Sequence, residues 1–225
     1  MFGSSAIYLG NYYHSVDVEK YMTSSSEVTI KKFDKGWFFD GAGEEKALIF
    51  YPGAKVATEA YAPLMYQLAE SGIDCFLVDM PFHMAFFGMN RAEEIMQEYN
   101  YEAWYLGGHS LGGAMAANFA ADYVEDHTDG IRGLLLLAAY PTKDLSTSDM
   151  SVVTVYGSED GVLNMDKIVA GRELMPQDYK EVCIEGGNHA QFGSYGTQKG
   201  DGTAAIPAEE QWARTVEVFV GDESE

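Results

Sequence analysis

Basic side chains are scarce in this chain. Fourteen Lys and Arg stand against 35 Asp and Glu in 225 residues, a formal charge of −21. Nucleic-acid binding rests mainly on neutralising phosphates with Lys and Arg, so a nucleic-acid partner is disfavoured. Anionic membrane surfaces are disfavoured for the same reason, and the charge serves solubility instead. Long apolar runs are missing too: none approaches the ~18 residues that span a bilayer. The N-terminus shows no basic stretch leading into an apolar one, so no secretion signal is expected in these residues. The compartment stays open, with the cytoplasm as the default. Cysteine is nearly absent, with Cys75 and Cys183 alone. Each sits in an apolar strand-like run, and both read as small buried hydrophobes. Gly107-Gly108 belongs to no G-x-x-x-x-G-K-[ST] phosphate loop, and nothing calls for a metal, a nucleotide or another cofactor.

What is present is ordinary globular material. Hydrophobic residues make up 47% and charged residues 22%, enough for one domain over 1–225 with a large core. Residues 1–26 are a Tyr-rich polar extension leading into it. Glu27–Lys32 alternates as a strand does, with Gly36–Asp40 as its hairpin partner. From there, apolar strands and helices alternate. Strands are expected over 46–51, 73–79, 103–107, 131–139, 152–156 and 180–185. Helices are expected over 58–71, 84–99, 111–126, 165–174 and 208–220. Strands without polar alternation are buried on both faces. The fold class is therefore α/β: a mostly parallel central sheet with helices on both faces. In such sheets, ligands gather at the carboxyl ends of the strands.

One strand end carries Gly107-Gly108-His109-Ser110-Leu111-Gly112-Gly113, which holds G-x-S-x-G at Gly108, Ser110 and Gly112. A chain of this length meets that pattern by chance with a probability of about 0.1. The context adds the weight: an expected strand precedes it and an expected helix follows. That is what a nucleophile elbow needs, because the serine sits in a strained turn with small neighbours. Ser110 is the candidate nucleophile.

In such folds the acid and base follow the serine in the order Ser, Asp/Glu, His. Asp160, in Tyr156-Gly157-Ser158-Glu159-Asp160-Gly161, is the candidate acid; Glu159 and Asp144 compete. His189, in Gly186-Gly187-Asn188-His189-Ala190 after the last strand, is the candidate base. His109 is expected to point away across the elbow, and His14 and His127 lie in polar stretches. The developing oxyanion needs fixed donors. One is the backbone N–H of Leu111. The other comes from the loop Tyr51-Pro52-Gly53-Ala54-Lys55, from Ala54 or, as second choice, Lys55. Lys55, Phe82, His83 and Gln191 are candidate substrate-binding residues.

These residues resemble the α/β-hydrolase superfamily, and within it a compact bacterial branch described as α/β-hydrolase-like. The likeness runs from about Tyr8 to Phe219. It includes Tyr51-Pro52-Gly53-x-Lys55-Val56, Ala60-Tyr61-Ala62-Pro63-Leu64, the elbow, Gly187-Asn188-His189-Ala190-Gln191-Phe192-Gly193-Ser194-Tyr195-Gly196 and Gly200-Asp201-Gly202. It implies a Ser–Asp–His triad with no metal and no organic cofactor. The His-Gly pair common after the third strand of lipases and esterases is replaced by Pro52-Gly53. The connection from Ala139 to Ser151 is too short for a cap domain. The expected activity is cleavage of a small-molecule carboxylic ester or thioester by a serine hydrolase. The alternative is a ligand-binding or sensor protein that keeps the fold without turnover.

Overall fold

The computed structural model describes residues 11–127 and 130–222. The first strands, β1 (Thr29–Phe33) and β2 (Gly36–Asp40), form an antiparallel hairpin. The chain then runs through β3 (Lys46–Tyr51), α1 (Ala62–Glu70), β4 (Asp74–Val78), α2 (Arg91–Glu98), β5 (Ala103–His109), α3 (Leu111–Asp126) and β6 (Ile131–Leu137). It continues through β7 (Ser151–Gly157), α4 (Met165–Gly171), β8 (Tyr179–Ile184) and α5 (Ala208–Asp222). Among the described residues the strands make one sheet in the order β1-β2-β4-β3-β5-β6-β7-β8. β2 runs antiparallel to β1 and β4, and β3 to β8 are parallel.

The central strands are apolar on both faces because helices cover both. Leu48 and Phe50 of β3 face Leu64, Met65 and Leu68 of α1 and Trp212, Val216 and Phe219 of α5. Ala47 and Ile49 face the other layer, with Ala92 and Ile95 of α2 and Ala116, Ala117 and Ala120 of α3. Alanines at that spacing let α3 pack close on the sheet. From β3 the chain goes to β4 on one side, then crosses back to β5 on the other. The loops after β3 and β5 therefore diverge from the sheet at its topological switch point, the place where such sheets gather ligands. Both loops carry motif residues.

Two expectations need correction. The helix expected over 84–99 is only Arg91–Glu98. The residues before it form two short 3-10 turns, Pro81–His83 and Ala85–Phe87, with Phe82 and His83 both left-handed. The apolar spacing misled here because Phe82, Phe86 and Phe87 are exposed rather than one buried helical face. Cys75 is buried, as expected, but Cys183 is exposed. Its strand, β8, is the sheet edge, with a neighbour on one side only. Among the described residues no helix is long and apolar enough to cross a membrane.

Candidate active site

Ser110 is the residue between β5 and α3. Its backbone is left-handed (φ 54°, ψ −122°), a conformation that costs a non-glycine residue about 1–3 kcal/mol and concentrates at functional sites. The elbow is held by two bonds: Ser110 N–H donates to Leu137 O (2.9 Å) and Ala114 N–H to Ser110 O (3.1 Å). The motif glycine Gly112 is required by close approach. A Cβ there would lie 2.1 Å from Tyr51 O and 2.4 Å from Pro52 O. The loop after β3 thus presses against the first turn of α3.

Among the described residues, that loop has one N–H without an acceptor. Gly53 N–H donates to the Tyr61 hydroxyl (3.0 Å). Lys55 N–H donates to His83 O (2.7 Å). Ala54 N–H, between them, has no partner among the described residues. Leu111, the first residue of α3, also has an N–H with no acceptor inside the helix.

The structure brings the other two sequence candidates together. Asp160 Oδ2 lies 2.8 Å from His189 Nδ1, with both side chains 2% exposed. Asp160 Oδ1 accepts the N–H groups of Val162 and Leu163, each at 2.8 Å, which fixes the carboxylate. The competing Asp144 instead accepts Ser146 N–H in an exposed turn, and those bonds hold its carboxyl below the usual range. Glu159 accepts the Ser158 hydroxyl at the surface. His189 Nε2 is buried without a partner among the described residues, so the Ser110 hydroxyl is not bonded to it here. Such bonds are often long in unliganded sites and tighten when substrate binds.

Ser110, Leu111 and His189 line one cavity of about 350 Å³. Its other walls are Ala114 and Met115 of α3, Ala138–Tyr140 and Thr142 after β6, and Val162–Asn164 beyond Asp160. A wider cleft of about 600 Å³ includes Glu102, Arg132 and Asp149; it sits at the amino ends of β5–β7, away from Ser110. The cavity lining differs from the residues expected to bind substrate. Lys55 and His83 are joined through their backbones, and the His83 ring stacks on Tyr12 (3.9 Å). Phe82 is 58% exposed and packs edge-on against Phe87. Gln191 bonds Ile206 O and Gln211. All four lie outside the lining.

His109 was missed. It does not point away: its ring lies 4.4 Å from that of His189. Its Nδ1 is 2.7 Å from the Tyr61 hydroxyl. That hydroxyl also accepts Gly53 N–H (3.0 Å), so it ties the ring to the loop after β3, while His109 Nε2 is buried without a partner among the described residues. Burial, followed by the neighbouring His189, pushes the His109 pKa well below the usual histidine value. Among the described residues, no group of three His, Cys, Asp or Glu side chains is placed to hold a metal ion.

The alternating chain, the strained serine turn and the joined Asp and His define an α/β architecture with its site at the sheet's carboxyl edge. The sequence profile of the alpha/beta hydrolase family matches residues 47–213, and the chain belongs to that family. No curated protein sequence is matched. Solved structures share the fold at low identity. Carboxyl esterase 2 from the fungus Tuber melanosporum is 13% identical, with a TM-score of 0.66 over 93% of this chain and 89% of that one. The monoacylglycerol lipase of Paleococcus ferrophilus is 14% identical, with a TM-score of 0.61 over 87% and 99%. A bacterial heroin esterase is 12% identical, with a TM-score of 0.60 over 97% and 90%.

Proposed function

We propose that this protein is a serine hydrolase that cleaves small neutral carboxylic esters through an acyl-enzyme on Ser110. The observation that carries the reading is the buried 2.8 Å bond between His189 and Asp160, with the ring's other nitrogen unpartnered beside the cavity that Ser110 lines. Ser110 Oγ attacks the ester carbonyl while His189 Nε2 takes its proton. Asp160 accepts the Nδ1–H, fixes the tautomer and stabilises the imidazolium. The carbonyl oxygen becomes an oxyanion facing the N–H groups of Leu111 and Ala54; each such donor lowers the barrier by about 3 kcal/mol. Collapse expels the alkoxide, which leaves as alcohol with the His189 proton. Water, deprotonated by His189, then attacks the acyl-enzyme; collapse releases the acid and Ser110 Oγ, which takes the proton back from His189.

The cavity favours the neutral substrate. Its lining has no Lys or Arg, and the chain carries −21 overall. A polyanionic carrier thioester would meet no countercharge. The volume of about 350 Å³ suits a small-molecule ester, and the lining is mainly apolar.

The test is reaction with a fluorophosphonate, followed by intact mass on wild type and Ser110→Ala. One adduct on the wild type and none on the variant is expected. A folded wild type that takes up no adduct overturns the reading and leaves a ligand-binding role. Hydrolysis of an uncharged activated ester several-fold faster than that of an anionic one is the second expectation.

A further inference from the structure

Asp160 and His189 come from loops after different strands, β7 and β8. Past the last paired residues of those strands, Gly157 and Ile184, the loops still bond each other through Glu159 N–H to Gly187 O (2.8 Å) and Gly186 N–H to Ser158 Oγ (2.8 Å), but these contacts stop short of Asp160 and His189. A third segment ties the acid and base positions themselves. The Asp201 carboxylate accepts four backbone N–H groups. Oδ1 takes those of Gly161 (3.1 Å), His189 (3.2 Å) and Gly202 (2.9 Å). Oδ2 takes that of Ala190 (2.8 Å). One side chain therefore grips the residue after the acid, the base itself and the residue after the base.

The carboxylate shape suits this position. Four converging donors need acceptors on both oxygens, and a carboxamide would turn an NH₂ group toward one of them. The backbone confirms the close fit. A Cβ on Gly202 would lie 2.0 Å from Glu159 O, so the Asp201-Gly202 segment rests directly on the acid loop. Asn188 adds a strap from the base loop, donating from Nδ2 to Gly202 O at 2.8 Å.

We infer that Asp201 is a positioning residue that sets the spacing of the His189–Asp160 pair, touching neither substrate nor imidazole ring. This rests on the hydrolase reading for its consequence in turnover, but the clamp itself can be read without turnover. In the ¹H NMR spectrum of the wild type, the proton in the His189–Asp160 bond should resonate far downfield and vanish in Asp160→Asn. In Asp201→Asn, folded by near-UV circular dichroism, that resonance broadens or disappears. With p-nitrophenyl acetate, kcat falls about 10²-fold, the loss expected of a misplaced catalytic group, while KM is unchanged. A folded Asp201→Asn that keeps both the resonance and kcat overturns the inference. If Asp201→Asn does not fold, amide exchange on the wild type decides. Joint protection of the Gly161, His189 and Ala190 amides supports the clamp, and fast exchange at any of them overturns it. A wild type that hydrolyses no ester would defeat the hydrolase reading alone, since the resonance and the exchange still report on Asp201.

Discussion

Two imidazoles lie 4.4 Å apart at the carboxyl edge of the sheet, and their partners are of opposite kinds. Both residues are 1% exposed. His189 has a carboxylate at Nδ1, so an imidazolium there has a countercharge. His109 has a phenol at Nδ1, and burial keeps it neutral. Burial alone therefore does not decide what a histidine does. The group on its far nitrogen decides whether the ring can take up a proton, because an uncompensated charge in the interior is costly. The neutral His109 ring fills space beside His189 without adding a charge there.

The sharpest way to break this contrast is to make the two rings alike. Asp160→Asn gives His189 a neutral partner, and kcat should fall about 10⁴-fold with little change in KM. Steady-state kinetics on an activated ester checks it. Tyr61→Phe attacks the other ring. It leaves Gly53 N–H and His109 Nδ1 without partners in the core, and each unsatisfied group costs about 1–3 kcal/mol. The urea midpoint should drop accordingly, and an unchanged midpoint would show that the hydroxyl does not hold the ring.

A smaller effect follows from pH. His109 has a folded pKa below its unfolded value, so the unfolded chain binds the extra proton. Its contribution is present above the ordinary histidine range and is lost as the pH falls below it. The slope approaches ~1.4 kcal/mol per pH unit. Urea unfolding at pH 7 and pH 5 should therefore separate wild type from His109→Gln, with the variant less acid-sensitive. Smallest is the control. His127 is exposed and bonded to its own helix at Tyr123 O. His127→Gln should stay within about 0.5 kcal/mol of wild type at either pH.

The bounds of β3 and α3 were readable in the sequence because local signals agreed. An apolar run stops at Pro52-Gly53, and a serine turn opens an alanine-rich helix. The Asp160–His189 pairing was readable as chain order at strand ends. The cavity walls were not. They come from the connection after β6 and the segment after Asp160, and which loops meet depends on the sheet order rather than on any local pattern. The orientation of His109 was misjudged for a related reason. Strand alternation turns its side chain off the face of Ser110, but the partners that receive it, Tyr61 and His189, lie 48 and 80 residues away in the chain. Asp201 stood in the sequence only as part of a glycine-flanked motif, because backbone N–H groups leave no mark in residue identity.

The loop Pro52–Lys55 holds three successive N–H groups after its proline, of which the outer two are bonded, to Tyr61 and to His83. The peptide that carries Ala54 N–H also carries Gly53 O, which accepts Val56 N–H (3.4 Å), so turning it would break that bond and strain the bonded peptides on either side. The Ala54 donor, unpartnered among the described residues, is thus held in direction before any ligand arrives, and for a hydrolase its alignment is settled once, during folding, instead of at every turnover. A chain in which those neighbours were loosened would keep the same donor on paper yet have to search for its orientation in each cycle.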